Sequence, residues 1–263
     1  MQTLDFRTWK PVSSLEQVTP ESAPKQPKPQ FWLRLWFRLW FRVVATAAAA
    51  FFLTSVLLVL VYRWVPVSTT PLMLIRVTEN LSQGKPIRFE RQWTPISRLS
   101  PKLQRSVVAA EDIKFFEHEG FDWQAIEKAI RHNKNGRRIR GGSTISQQVA
   151  KNVFLWPKRS WLRKGLEAYF TVLIEMLWGK ERIMEVYLNV VELGDGVYGV
   201  EAAAERFFRK SAKELSSSEA ALVAAVLPNP RRFLIQRPSP YTRFRQTMIQ
   251  RRMPIAAETF PID

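Results

Sequence analysis

The sequence contains no cysteine. That excludes a disulfide framework, a zinc–cysteine site and a thiol nucleophile. It has two histidines, His118 and His132, too few for a His-rich metal centre. No segment repeats with the period of about 20–50 residues that marks a solenoid. The pattern G-x-x-x-x-G-K-[S/T] is missing, so no P-loop is encoded. Acidic residues are few: 23 Asp+Glu stand against 40 Lys+Arg, a net charge of +17 over 263 residues. Such a balance calls for an anionic partner: nucleic acid, a phospholipid surface or a phosphorylated substrate. Apolar residues make up 46%, enough to build the core of one medium-sized domain with accessories.

The chain divides into three parts. Residues 1–30 hold Pro11, Pro20, Pro24, Pro27 and Pro29 and no apolar periodicity, and read as a disordered cytoplasmic tail. Residues 31–64 combine an interfacial stretch with a transmembrane anchor. In FWLRLWFRLWFR, a helix would line Arg34, Arg38 and Arg42 along one side, with Trp32, Trp36 and Trp40 among the apolar remainder. Val43 to Tyr62 then runs without a charge. At a rise of about 1.5 Å per residue it spans a hydrocarbon core of roughly 30 Å. A buried core helix would be shorter. A signal peptide would have an apolar run of about 7–15 residues nearer the start, followed by a small-residue cleavage site.

Lys25, Lys28, Arg34, Arg38 and Arg42 precede the span, while Arg63 and Arg76 follow it. This asymmetry places the N-terminus in the cytoplasm and residues 65–263 outside it. Most of the excess positive charge lies beyond residue 63. A basic domain tethered outside the cytosol faces lipid headgroups or a lipid phosphate rather than nucleic acid.

The outer part reads as mainly α. Asp122 suits an N-cap for Trp123–Asn133, with Gly136 as its stop. Ser160 caps a longer helix, along which Leu162, Leu166, Phe170, Leu173 and Leu177 keep helical spacing up to Gly179. Ser216 and Glu219 form a capping box before EAALVAAVL, closed by Pro228. LMLIRV and PIRFER, within 72–90, read as short strands. LEAYFTVLIEMLW, 166–178, is too short for a second span and contains Glu175, so it reads as core.

The chemistry concentrates between residues 108 and 210. In VVAAEDIKFFEHEGFD, apolar residues lead directly to Glu111 and Asp112. Desolvation there raises a carboxyl pKa and makes a usable general base or acid; a solvated helix-end glutamate is the plainer reading. RIRGGSTISQQVAKN follows. Gly141 and Gly142 allow close backbone approach. Ser143, Thr144, Gln147 and Gln148 offer neutral hydrogen-bonding groups. Lys151 and Arg159 add cations. Neutral donors followed by cations suit a diphosphate and its sugars; a polar loop with an N-cap would look similar. In RKGLE, Arg163 and Glu167 sit at i, i+4, the spacing of an ordinary helix ion pair.

Taken in order, EDxxFxxHxGFD, GGSTISQQxxKN, RKxxE, KERIMEVYLN (180–189) and GVYGVEAAAERFF (196–208) resemble the glycosyltransferase family 51 domain over roughly residues 95–235. The short chain with one N-terminal anchor is similar to the monofunctional peptidoglycan glycosyltransferases. No Ser-x-x-Lys or Lys-Thr-Gly follows the domain, so a transpeptidase is not expected. Ser146 departs from the family, where many members have Thr, and keeps the hydroxyl.

The resemblance implies a lysozyme-like fold and processive, inverting polymerisation of lipid II into peptidoglycan strands. It assigns Glu111 as catalytic base and Glu167 as the second essential glutamate, near the donor diphosphate. It assigns Ser143, Gln148, Lys151 and Arg159 to the donor sugar and diphosphate. Gly141, Asp112, Phe115 and Asn189 fall on other characteristic positions and are expected at the substrate. The resemblance also implies a divalent cation, Mg2+ or Mn2+. Partners follow: lipid II and the lipid-linked strand, membrane lipids, and other wall-synthesis or division proteins. Glu111 is expected in the drier of the two glutamate sites. FLWPKRSW, 154–161, is expected either at the headgroups or packed into the domain. Two alternatives stand beside this reading: a glycan-cleaving lysozyme-like enzyme, which must protonate a sugar leaving group, and a membrane-anchored scaffold.

Overall fold

The computed structural model describes residues 29–134 and 142–259. Apart from Pro29 and Gln30, the expected tail lies outside these residues, as do Gly136 and Gly141. The chain divides between Leu53 and Thr54 into two compact units.

The first unit carries most of a long helix, α1 (Pro29–Trp64). Within α1, Trp36–Trp64 is long and apolar enough to cross a membrane, with a mean hydropathy of 2.5. Trp36, Phe37, Trp40, Phe41, Phe52 and Leu53 are exposed. An exposed apolar stretch of that length suits lipid as its solvent.

The second unit opens with the last turns of α1. Ser55 and Tyr169 share a hydroxyl hydrogen bond of 2.6 Å. Trp178 Nε1 donates to Val59 O at 2.8 Å. Arg182 donates to Tyr62 O and Val65 O at 2.8 and 2.7 Å, satisfying carbonyls that a helix end leaves open. The sequence boundary at residues 64–65 follows the helix end, whereas the packing groups these last turns with the second unit.

Next comes α2 (Pro71–Ser82). Here the expected strand over LMLIRV is corrected to a helix. The Thr70 side chain accepts from Met73 N, and Pro71 occupies the first turn, where its missing N–H costs nothing. Met73 and Asn80 turn inward. This capping outweighs the modest strand preference of Ile75 and Val77. Of PIRFER, only Glu90–Arg91 forms a strand, β1.

The helical body follows: α3 (Pro101–Glu111), α4 (Trp123–Lys134), α5 (Ile145–Phe154), α6 (Trp161–Leu177) and α7 (Lys180–Val190). Asp122 accepts from Ala125 N at 2.9 Å, and Ser160 accepts from Arg163 N at 3.1 Å, as their capping roles require. After β2 (Glu192–Gly194) and β3 (Val197–Tyr198) come α8 (Val200–Phe208), α9 (Ser217–Val226) and α10 (Pro240–Thr259). The fold is mainly α. Its sheet has the order β1-β3-β2, with β1 parallel and β2 antiparallel to β3.

Two helix groups build the core. α5 packs on α6 and α7; α3, α9 and α10 pack on one another. In α9 the Ser216–Glu219 capping box is formed, and every residue from Ala220 to Val226 is buried. Its alanines let the neighbouring helices approach closely. The turns beside β3 need glycine. At Gly196 (φ +73°) a Cβ would lie 2.3 Å from Arg88 O, and at Gly199 (φ +80°) 2.8 Å from Asn189 O.

Candidate active site

Glu111 is the last residue of α3, and Asp112 ends the helix in a non-helical conformation. The Asp112 carboxylate then ties two elements together. Its Oδ2 accepts from Ile145 N at 3.0 Å, in the first turn of α5, and its Oδ1 lies 3.0 Å from His118 Nε2. An anion at a helix N-terminus is favoured by the helix dipole. Thr144 starts α5 with a capping box: Thr144 Oγ1 accepts from Gln147 N, and Gln147 Oε1 accepts from Thr144 N. Thr144 Oγ1 also donates to Gly120 O at 2.7 Å. Thus the start of α5 is fixed, and one turn later Gln148 and Lys151 are aimed.

Gln148 Nε2 donates to Glu111 Oε2 at 2.9 Å. The buried Tyr187 hydroxyl, 3.3 Å from Gln148 Oε1, sets which way that amide points. Arg245 of α10 reaches Glu111 Oε1 at 3.8 Å and is itself held by donating to Ala225 O. Burial pushes the Glu111 carboxyl above its usual value; Gln148, Arg245 and Lys151 oppose that rise.

Beside Gln148 lies a cavity of about 640 Å3. It brings together Ser143, Gln148, Lys151, Arg159 and Glu167, five of the expected site residues. Arg76, Arg163 and Lys164 join them, so five cations and one carboxylate face the same space. Glu111 sits one hydrogen bond beyond this wall. Glu167 accepts from Arg163 Nη1 at 2.6 Å and from Lys164. Lys151 stands where it feels both glutamates; burial, ahead of any charge, holds its ammonium below the usual lysine value.

By exposure Glu167 is the more covered of the two glutamates, 4% against 14% for the side chains. The expected order of dryness is therefore reversed. What separates the two is compensation: two cations hold Glu167, while Glu111 has one amide hydrogen bond and a cation at longer range. The Arg163–Glu167 spacing is that of an ordinary surface pair, yet here the pair is buried.

Three expected substrate-binding residues do not reach the cavity. Phe115 is fully buried, with the Lys180 ammonium 4.7 Å from its ring centre, and has no surface to offer a ligand. Asn189 accepts from Thr94 N and donates to Thr94 O and Glu185 O, pinning the chain before α3 to α7. Asp112 is spent on α5 and His118. Gly141 lies outside the described residues. Sequence reasoning missed Arg76, Lys164, Arg245 and Tyr187 as members of the site. Lys164 lay within RKGLE; the others come from distant elements that no local pattern joins.

The donor set does not fit a protein-held divalent ion. Among the described residues no three His, Asp or Glu side chains gather as ligands. The one carboxylate on the cavity wall already takes two cations.

A family model described as Transglycosylase matches residues 79–254. The chain belongs to the transglycosylase family. It is 54% identical to a biosynthetic peptidoglycan transglycosylase of Bdellovibrio bacteriovorus, covering 84% of this chain and 90% of that one. It is 50% identical to a protein of the same description from Bacteroides thetaiotaomicron, over 81% and 86% of the two chains. A third, from Rhodospirillum centenum, is 54% identical over 81% and 90%. The matched span contains α3 to α9, and with them Glu111, Gln148, Lys151 and Glu167.

Proposed function

We propose that this chain polymerises lipid II into β-1,4-linked peptidoglycan strands at the outer face of the cytoplasmic membrane. The observation that carries the reading is a cavity faced by five cations with a desolvated carboxyl one hydrogen bond away. A lipid diphosphate leaves readily once its charge is stabilised, which Lys151, Arg159 and Arg163 do. The incoming sugar hydroxyl is a poor nucleophile and needs a base, the role given to Glu111.

The acceptor 4-hydroxyl gives its proton to Glu111 as its oxygen attacks the anomeric carbon of the lipid-linked strand. The new C–O bond forms with inversion. The bond from that carbon to the diphosphate oxygen breaks, and undecaprenyl diphosphate departs with the electron pair. Glu111 then returns its proton to water. Gln148 holds Glu111 toward the cavity. Glu167 spaces Arg163 and Lys164 and keeps their charge from repelling Lys151.

The substrate is itself held in a bilayer, and the anchor suits it. With α1 crossing once and its N-terminus in the cytoplasm, the domain works at the surface where lipid II is presented, and its effective concentration rises. The face of α6 extends that seat. Trp161 is 93% exposed, and Leu162, Val172 and Met176 lie open along the same helix. Over 154–161 the two expectations divide: Phe154 stacks on Phe170 at 4.5 Å and Trp156 packs on the core, while Trp161 faces outward.

The test is polymerisation of purified lipid II by the detergent-solubilised full chain, with products sized before and after muramidase digestion. Digestible strands are expected, together with loss of nearly all donor use in a folded Lys151→Ala variant. A folded native chain that makes no strands contradicts the reading.

A further inference from the structure

Gln148 joins a buried phenol to the carboxyl given the role of base. Its Nε2 donates to Glu111 Oε2 at 2.9 Å, and its Oε1 accepts from the Tyr187 hydroxyl at 3.3 Å. Tyr187 belongs to α7 and is fully buried, so it offers no surface to a substrate. Among the described residues its hydroxyl makes no other hydrogen bond. The proton transfer proposed above does not touch that hydroxyl.

A primary amide is nearly symmetric in shape, so packing alone does not choose its orientation. With Nε2 toward Glu111, the Gln148 amide stabilises the carboxylate. Turned over, it would set its oxygen against the carboxyl and favour the protonated acid. The Tyr187 hydroxyl decides between the two. A turned amide would present its NH2 to that hydroxyl and leave the phenolic proton without an acceptor. A buried donor left unmade is costly.

The hydroxyl also keeps its proton. Burial first, then nearby Glu111 and Asp112, pushes it well above the ordinary tyrosine value. It therefore donates throughout the range in which Glu111 titrates. Three charged groups face Glu111 as well. Arg245 of α10 and Lys151 of α5 favour its ionised form, and Asp112 beside it opposes that form. Tyr187 differs from these in acting through an orientation rather than a charge.

We propose that Tyr187 is a positioning residue for the base, locking the Gln148 amide with its donor side toward Glu111. With that lock in place, Glu111 ionises at a lower pH than its burial alone would allow. The inference rests on the function proposed above, because it takes Glu111 as the base.

The experiment compares native protein, Tyr187→Phe, Glu111→Gln and the double variant, each as the full detergent-solubilised chain. Two readouts are taken: the pH profile of kcat/KM for lipid II polymerisation, and thermal melting from acid to neutral pH. Without the hydroxyl the amide turns freely, and Glu111 loses part of its hydrogen bond. Tyr187→Phe should move the rising limb of kcat/KM up by about half to one pH unit and largely keep the plateau above it. Melting carries the same signature independently of activity. A carboxyl whose folded pKa is raised further loses more stability as pH rises through that value. The melting loss from Tyr187→Phe should therefore be larger at neutral than at acid pH, and equal at both in the Glu111→Gln background. A hydroxyl that only supports the core would give a pH-independent loss and an unmoved limb, and either result overturns the inference. Should Tyr187→Phe not fold, Tyr187→Met, which also lacks the hydroxyl, is read in its place; failure of both to fold overturns the inference by making the side chain purely structural. Native protein that is folded and makes no strands overturns the proposed function, and the melting comparison then decides by itself whether Tyr187 orients Gln148 on Glu111.

Discussion

Glu111 on α3 and Glu167 on α6 are the same residue type in different surroundings. Glu167 is held between Arg163 and Lys164. Burial raises the Glu111 carboxyl, which is what a base acting near neutral pH requires. If Glu111 is the base, as proposed, its ionised form is the active one, and kcat/KM should rise with pH along a limb lying above the usual carboxylate range. Arg245 opposes the rise; Arg245→Gln should move that limb to higher pH, and an unmoved limb would remove Arg245 from the site. Stability runs the other way. A carboxyl whose folded pKa is raised contributes its stability below the ordinary glutamate value and loses it as pH rises through the folded value. Glu111→Gln should therefore melt higher than native at neutral pH, with the gain vanishing at acid pH, while activity falls. The apolar lead-in VVAA made a desolvated Glu111 legible in the sequence. Arg245 was not legible, because α10 meets α3 only through the tertiary fold. Phe115, Asp112 and Asn189 were legible as special, and the fold buries all three away from the cavity.

Among the elements, α5 matters most, since it carries Gln148 and Lys151. Its start depends on Thr144, which both caps the helix and donates to Gly120 O. Thr144→Val should cost about 1–3 kcal/mol and lower activity with it, because the helix that aims the site loosens. Ser216→Ala at α9 removes an exposed cap remote from the cavity. It should cost about 1 kcal/mol by thermal melting and spare the rate in the surviving fold. Equal losses of activity in the two variants would contradict this ranking. Caps were the most legible local features: Asp122, Ser160 and the Ser216–Glu219 box all stand where their side chains suggested. α2 was misread because LMLIRV shows no clear period; Thr70 and Pro71, just before it, held the missing signal. The three-stranded sheet was barely legible. Its strands are two or three residues long, and Gly196 and Gly199 decide its turns through close approach to distant backbone.

For the whole molecule, charge and anchor point the same way. A net charge of +17 gathers in part on one cavity, and a 29-residue apolar stretch precedes the domain that holds it. On the proposed reading, the exposed apolar face of α6 gives the domain a membrane seat of its own. Replacing Trp161 and Met176 together by glutamate should leave melting unchanged, because both are exposed. The same pair should slow polymerisation several-fold in liposomes and leave it unaltered in detergent; equal rates in both media would refute the seat. The most direct measurement of the central claim is single-turnover polymerisation of lipid II by native protein and Glu111→Gln, with melting of both proteins recorded. The rate should fall by at least about a hundredfold in a variant that remains folded. A folded Glu111→Gln protein that keeps more than about a tenth of the native rate contradicts Glu111 as the base.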